Sequence, residues 1–214
     1  IKLYDYTAAA IKSVLPEAKF GPFNQSGANA SLINKNVNYY QLARHCALEK
    51  NYNTGEKGTP LDFAAISHYS IPKLRNGRLR SINPDLLLSG KIQFWDKVER
   101  ILGHDISREV HEFGILNDEY GNSTDEPGAR GAAWTFHTLF TMREYGLEKL
   151  WHWDTTEEVR TPGPRPLILK GNGWVYNILD YTIRGETYIL NSPEDSKNNT
   201  MYQSILVVKD DKKY

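Results

Sequence analysis

The feature that most constrains the fold is an alternation of short apolar runs with segments of helical periodicity. The four apolar runs cover residues 18–23, 61–68, 110–116 and 147–153. Each is short enough to be a strand and leads into polar, glycine-containing or aromatic residues. Because alternating strands and helices favour a parallel sheet covered by helices, the sequence predicts an α/β fold.

The predicted helices carry apolar residues at the spacing of one helix face. They cover residues 3–15, 32–48, 84–102, 129–145 and a segment from Trp174 to Tyr181. Pro16 ends the first helix, and Pro84 lies near the first turn of the third. The four strands predict either a small open sheet or half of a (β/α)₈ barrel, which needs about eight strands.

The pattern changes to short alternating strands near residue 185. Residues 187–190 and 204–208 are apolar segments of strand length, separated by a polar loop. The sequence therefore predicts a boundary between a sheet-and-helix domain at residues 1–184 and an appended β domain at residues 185–214.

Composition excludes several classes of partner and site. The 26 basic and 26 acidic residues balance, which gives no reason to expect nucleic acid or an anionic membrane. No apolar run approaches the roughly 18 residues of a membrane span. One cysteine, Cys46, excludes an internal disulfide, and no pair of histidines has metal-ligand spacing. We therefore expect no metal, cofactor, nucleic-acid or membrane partner, and Cys46 is interpreted as a small buried hydrophobe.

Polar and aromatic residues gather where the predicted strands end, which is where α/β proteins build their sites. The candidates are His68, Tyr69, Asn117, Asp118, Glu119, Trp153 and Asp154. A carboxylate in an aromatic, partly desolvated pocket can attack an anomeric carbon, and Glu119 is predicted to do so. Asp118 points to the other side of the strand and is expected to support the loop, whereas Glu112 is placed at the strand's start, away from the chemistry.

Four asparagines precede a residue and then Ser or Thr, which is the acceptor pattern for N-linked glycans. They are Asn24, Asn29, Asn122 and Asn198. Chance alone gives about two such patterns, so their number neither establishes nor excludes secretion.

Several motifs resemble one enzyme family. Several segments are similar in order and type to the α-L-iduronidase-like glycoside hydrolases of family thirty-nine: residues 42–46, 53–58, 61–63 and 66–68, followed by Asn117-Asp118-Glu119 and Arg165-Pro166-Leu167. The resemblance runs from Ile1 to about Arg184, and the segment from Thr54 to Asp62 is its most specific part.

The resemblance implies a retaining hydrolase with strands 5 to 8 of a (β/α)₈ barrel, followed by the start of a β-sandwich. It implies that Glu119 is the nucleophile. The predicted strand ends place a set of candidate contacts near a glycan or glycosaminoglycan-like substrate: His68, Tyr69, Asn117, Asp118, Trp153 and Asp154. The acid/base glutamate would come from the N-terminal half of the barrel, as a missing segment or companion chain. A secreted or lysosomal location is also implied.

One departure from the family pattern leaves the sugar open, and one alternative leaves the activity open. Tyr69 and Ser70 follow His68 where the family carries basic residues that bind a uronate, so the sugar is left unassigned. The alternative is a non-catalytic extracellular protein that binds glycans or has a structural role on the same fold. An asparagine–glutamate pair at the fourth strand would favour the enzyme over this alternative.

Overall fold

The computed structural model describes residues 1–25, 37–70, 74–75, 78–79, 84–115, 129–153, 169–183, 186–190, 204–209 and 212–213. The helices within them are α1 (Lys2–Val14), α2 (Val37–Leu48), α3 (Pro84–Leu102), α4 (Ala129–Glu144) and α5 (Gly171–Ile183). All five occupy segments with predicted helical periodicity, and the predicted residues 32–36 before α2 lie outside the described residues. Among the described helices, none combines the length and apolar character that crossing a membrane requires.

The described strands form three small sheets. They are β1 (Phe63–Ser70), β2 (Leu74–Arg75), β3 (Arg78–Leu79), β4 (Ser107–Ile115), β5 (Lys149–His152), β6 (Glu186–Leu190), β7 (Ser204–Lys209) and β8 (Lys212–Lys213). One sheet has the order β1-β4-β5, and helices connect its strands. The chain is thus a mixed α/β protein with a small parallel sheet.

The other two sheets are antiparallel. β2 pairs with β3, and β6 pairs with β7 so that Glu186 lies opposite Val208 and Leu190 opposite Ser204. β7 then pairs with β8. The two short strands predicted after residue 185 are therefore present, whereas their assignment to an appended β domain stays a prediction.

The strand predicted at residues 18–23 is absent. The segment runs beside β1 and forms a single parallel bridge, from Gln25 to Ile66. Pro22 has no N–H to donate to a ladder, and Gly21 lies so close to β1 that an added Cβ would be 2.5 Å from the Phe63 ring. These two residues prevent a regular strand but allow the close approach.

The chain divides into two compact units. The first comprises residues 1–68, 86–113 and 142–151, and the second comprises residues 69–85, 114–141 and 152–214. In the first unit, Phe94 and Trp95 on α3 are fully buried, and the Trp95 indole donates to the Ala64 carbonyl at 2.8 Å. Tyr39 on α2 packs edge-on against Phe94, so α2 and α3 share one aromatic core with β1.

Cys46, on α2, is buried and unpaired with other cysteines. Burial, followed by the nearby Asp5 charge, raises the pKa of its thiol to about 12. A thiol with so high a pKa carries almost no thiolate at neutral pH, and this confirms its interpretation as a buried hydrophobe.

A buried carboxylate joins α1, α2 and the following loop in the first unit. Asp5 is fully buried and accepts hydrogen bonds from His45 Nε2, Thr59 Oγ1 and the Tyr52 backbone N–H, each at 2.8 Å. His45 also contacts Glu49 through Nδ1 at 2.9 Å. Burial opposes both charges, yet these hydrogen bonds outweigh it, so the pKa of His45 is raised and that of Asp5 is lowered.

Candidate active site

Three side chains of the first unit form a hydrogen-bonded chain that joins the segment before α2 to β1 and β4. Asn24 Nδ2 donates to Ser67 Oγ at 2.8 Å, and Ser67 Oγ donates to Glu112 Oε2 at 3.0 Å. Ser67 lies three residues before the end of β1, and Glu112 lies three residues before the end of β4. This Asn24–Ser67–Glu112 chain places a carboxylate in the carboxyl half of β4, and parallel sheets assemble binding sites beyond that end of their strands.

The apolar pattern predicts that Glu112 lies at the beginning of its strand and away from the chemistry. The structure begins β4 at Ser107, so Glu112 is in the strand's second half. Residues 107–109 are polar, and a criterion based on apolar runs starts the strand too late. Half-buried and fully buried residues follow one another in pairs along most of β4, and this pattern is visible only in the folded chain.

A buried lysine on α3 contacts the backbone of β1. Lys91 on α3 is 8% exposed, and its Nζ donates to the Ser67 carbonyl oxygen at 2.9 Å. Burial lowers the pKa of this ammonium to about 8, so it remains mostly charged at neutral pH. The Ser67 backbone is therefore fixed by Lys91 while its hydroxyl faces Asn24 and Glu112.

His68, a predicted sugar contact, is fully buried in the described structure. Burial and then the Lys91 charge hold the pKa of its imidazole well below the usual value. The ring is thus neutral at pH 7 and does not serve as a general acid there. Its predicted contact with a substrate stays a prediction.

The second unit contains an aromatic group of its own. The Tyr176 hydroxyl on α5 lies 2.7 Å from His152 Nδ1 at the end of β5. A Cβ at Gly114 would be 3.5 Å from the Tyr69 ring and 3.9 Å from His152 Cδ2, so Tyr69 and His152 share the space over this glycine. Trp153 follows His152 and is 50% exposed.

Sequence reasoning selected Tyr69 and Trp153 from this group but missed His152 and Tyr176. His152 stands between two tryptophans in a short strand, where packing is the ordinary expectation. Tyr176 is part of an apolar helix pattern. Only the folded arrangement shows that their polar atoms meet.

Most of the predicted site lies outside the described residues. This applies to Asn117, Asp118, Glu119 and Asp154, and to the glycan acceptors Asn29, Asn122 and Asn198. The fourth acceptor, Asn24, is described, and its side-chain amide already donates to Ser67. A glycan on Asn24 would have to replace a proton of that amide, and glycosylation at all four positions stays a prediction.

A separate polar cluster lies toward the amino ends of β4 and β5. The buried Glu109 carboxylate contacts His111 Nε2 at 2.7 Å and Lys149 Nζ at 3.0 Å, and it accepts from Ser107 at 2.9 Å. Burial raises the pKa of this carboxyl, but the hydrogen bonds from His111, Lys149 and Ser107 outweigh burial and lower it. The cluster is an internally compensated charge group, and its Glu109 lies three residues before Glu112 in β4.

Metal ligation finds no support in the described part of the chain. Within it, no group of three or more His, Cys, Asp or Glu side chains could hold a metal ion.

Comparison with known proteins gives similarity at the level of structure. No protein-family model matches the chain, and no curated sequence is significantly similar to it. A monomeric β-xylosidase from Caulobacter crescentus CB15 superposes with a TM-score of 0.51 and 18% identity, covering 84% of this chain and 36% of the xylosidase. A bacterial orthologue of human α-L-iduronidase superposes with a TM-score of 0.53 and 12% identity, covering 95% of this chain and 30% of that enzyme.

The chain thus spans about a third of the length of these two structures. At these identities the likeness concerns the fold and not the individual residues. The fold of this chain is similar to that of glycoside hydrolases.

Proposed function

We propose that this chain is part of a retaining glycoside hydrolase that acts on a carbohydrate substrate. The observation that carries the proposal is the Asn24–Ser67–Glu112 chain, which presents a carboxylate near the strand ends of a glycosidase-like fold. Carboxylates at this end of a parallel sheet are the groups that glycosidic bond hydrolysis requires.

In the proposed mechanism, one carboxylate attacks the anomeric carbon and a second carboxyl group protonates the leaving oxygen. Retaining enzymes hold these two groups about 5–5.5 Å apart. The resemblance to family thirty-nine assigns the attack to Glu119 and places the acid/base group in the N-terminal half of a (β/α)₈ barrel. That half, as a preceding segment or a companion chain, completes the barrel in this proposal.

The proposal also accounts for an exposed apolar side of α1. Leu3, Tyr6 and Val14 on this helix are exposed by 80%, 47% and 76%, and Leu15, which follows it, is 62% exposed, which is unusual for neighbouring apolar residues. The N-terminal half of the barrel would cover this side. A substrate of glycan or glycosaminoglycan type and a secreted or lysosomal location also belong to the proposal.

The test uses the full-length polypeptide that contains this chain. It is incubated with 4-nitrophenyl β-xyloside and 4-methylumbelliferyl α-L-iduronide, and the first sugar product is observed by proton NMR before it mutarotates. Release of sugar with the anomeric configuration of the substrate supports the proposal. Inversion would contradict the retaining mechanism, and absence of hydrolysis of both glycosides would contradict the assignment.

A glycan-binding protein without turnover is the second candidate. It is favoured by exposed tryptophans, since Trp151, Trp153 and Trp174 are 47%, 50% and 57% exposed. Flat aromatic faces of this kind have an apolar body that can cover a sugar ring. The two candidates are separated by isothermal titration calorimetry together with the hydrolysis assay. A binding protein gives a heat of binding with the glycosides but releases no product.

A further inference from the structure

We propose that Ser67, together with Asn24, binds a hydroxyl group of the sugar, whereas the neighbouring His68 has a structural role. The inference rests on the proposed function and concerns how its substrate is recognised, so the attack on the anomeric carbon stays with Glu119. It transfers the sugar contact that the sequence predicts for His68 to the residue before it.

Ser67 and His68 lie on opposite faces of β1, because successive side chains of a strand alternate. Phe63, four residues before Ser67, shares the face of Ser67. The Phe63 ring lies over Gly21, and its centroid is 5.4 Å from that of the His111 ring in β4. Ser67 makes its side-chain contacts with the same two parts of the chain, the segment before α2 and β4.

The face of His68 is closed by α3. His68 has no exposed surface, and neither have Ala64 and Ile66 on the same face. Burial, and after it the charge of Lys91 on α3, holds the pKa of the His68 imidazole well below its usual value. The imidazole thus belongs to the layer between β1 and the covering helix, and barrel-type folds build their sites away from that layer.

The Ser67 hydroxyl can accept one more hydrogen bond than it has in the structure. A serine hydroxyl has one proton to donate and two acceptor positions. Ser67 Oγ donates to Glu112 Oε2 at 3.0 Å and accepts from Asn24 Nδ2 at 2.8 Å. Among the described residues, nothing donates to its second acceptor position.

Asn24 provides another acceptor beside Ser67. Asn24 Oδ1 is buried and has no hydrogen-bond partner within the described part of the chain. A buried acceptor without a donor is costly, so a ligand that supplies a donor here gains free energy. Asn24 as a whole residue is half-buried, as is Glu112, so this side of β1 is more open than the side of His68.

Two neighbouring acceptors select the chemistry of the ligand. They require O–H or N–H donors, and the hydroxyl groups of a sugar ring provide them. A uronate carboxylate has only acceptor oxygens and gains nothing from this pair. Asn24 and Ser67 are therefore suited to the hydroxyl edge of the sugar and not to a carboxylate substituent.

The test combines Ser67→Ala with removal of single hydroxyl groups from the substrate. The full-length polypeptide is assayed with the glycoside that it hydrolyses, 4-nitrophenyl β-xyloside or 4-methylumbelliferyl α-L-iduronide, and with the monodeoxy analogues of that glycoside. Ser67→Ala should lower kcat/KM for the parent glycoside by about ten- to a hundredfold. For the analogue that lacks the contacted hydroxyl, the loss should shrink to less than about threefold. Equal losses for the parent and every analogue would mean a merely structural role and would overturn the inference.

Two control variants accompany Ser67→Ala. Ser107→Ala removes another hydroxyl of the sheet that donates to a carboxylate, at the beginning of β4, and should leave kcat/KM unchanged. His68→Gln should lower the midpoint of thermal unfolding but keep kcat/KM within about threefold of wild type. If His68→Gln does not fold, the comparison of substrates with Ser67→Ala decides alone.

The failure of this inference is distinguishable from failure of the proposed function. Coupling of one sugar hydroxyl to His68 in place of Ser67 would return the contact to His68 and leave the hydrolase assignment intact. Absence of hydrolysis of both parent glycosides by the wild-type protein defeats the proposed function, and this inference with it.

Discussion

At the scale of single residues, this chain places charges in buried positions and compensates them with hydrogen bonds. Asp5 has no exposed surface and three donors around its carboxylate, from His45, Thr59 and the Tyr52 backbone. Glu49 contacts the other nitrogen of His45 but is 62% exposed. The two carboxylates share one imidazole and differ in burial, so they form a natural comparison.

Replacing Asp5 by Ala should destabilise the fold far more than replacing Glu49 by Gln. The first change leaves three buried donors unsatisfied and is expected to lower the free energy of unfolding by about 3–5 kcal/mol. The second removes a solvent-screened contact and should cost less than about 1 kcal/mol. Urea denaturation of both variants measures the difference, and equal costs would show that the buried carboxylate is not structural.

Lys91 gives the chain a specific pH dependence. Its pKa is about 8 in the folded protein and near 10.5 when unfolded, so between these values the unfolded chain binds more protons. Stability should therefore rise with pH across this window, by up to about 3 kcal/mol. Lys91→Met should lack this rise. The variant also loses the hydrogen bond to the Ser67 carbonyl oxygen, but that loss does not depend on pH in the same way.

The measurement for Lys91 is the free energy of unfolding of wild type and variant between pH 7.5 and pH 9.5, compared as a difference because other groups titrate as well. The wild-type value should gain on the variant as pH increases. Parallel curves would mean that the folded-state pKa of Lys91 is not lowered.

At the scale of elements, the sequence predicts the helices and strands that apolar periodicity determines. It does not predict the segments whose course depends on contacts with residues far away in the chain. α3 and β1 follow from apolar spacing, and their bounds differ from expectation by at most two residues. The segment before β1 was misassigned because its course depends on Gly21 meeting Phe63, forty-two residues away. Glu112 was misplaced because the polar beginning of β4 is stabilised by partners such as Lys149, which local pattern does not reveal.

The close approach of Gly21 to Phe63 can be tested by a double-mutant cycle. Gly21→Ala would bring a methyl group to 2.5 Å from the ring, and such overpacking costs about 1–3 kcal/mol. In a Phe63→Leu background, the ring atoms responsible are gone and the cost of Gly21→Ala should fall by at least half. Thermal or urea unfolding of the four proteins provides the cycle, and strictly additive costs would argue that Gly21 is required for another reason.

At the scale of the whole molecule, the exposed apolar side of α1 coincides with a net charge near zero. The sequence pI is about 7.2, so at neutral pH little charge repulsion keeps copies of the chain apart. Leu3 and Val14 are the two apolar side chains with the greatest exposure on α1, at 80% and 76%. Both features promote association near neutral pH, and they can be separated by substitution.

The 214-residue chain should associate most strongly near pH 7 and less at pH 5 or pH 9, as measured by static light scattering. Leu3→Lys/Val14→Lys adds two positive charges and removes the apolar surface. Asn53→Lys/Asp105→Asn adds the same charge at exposed positions elsewhere. Both variants should shift the association maximum to higher pH, but only the first should lower its height, since charge sets where repulsion vanishes and exposed apolar area sets how strongly the copies then attract. Equal maxima in the two variants would place the attraction outside α1.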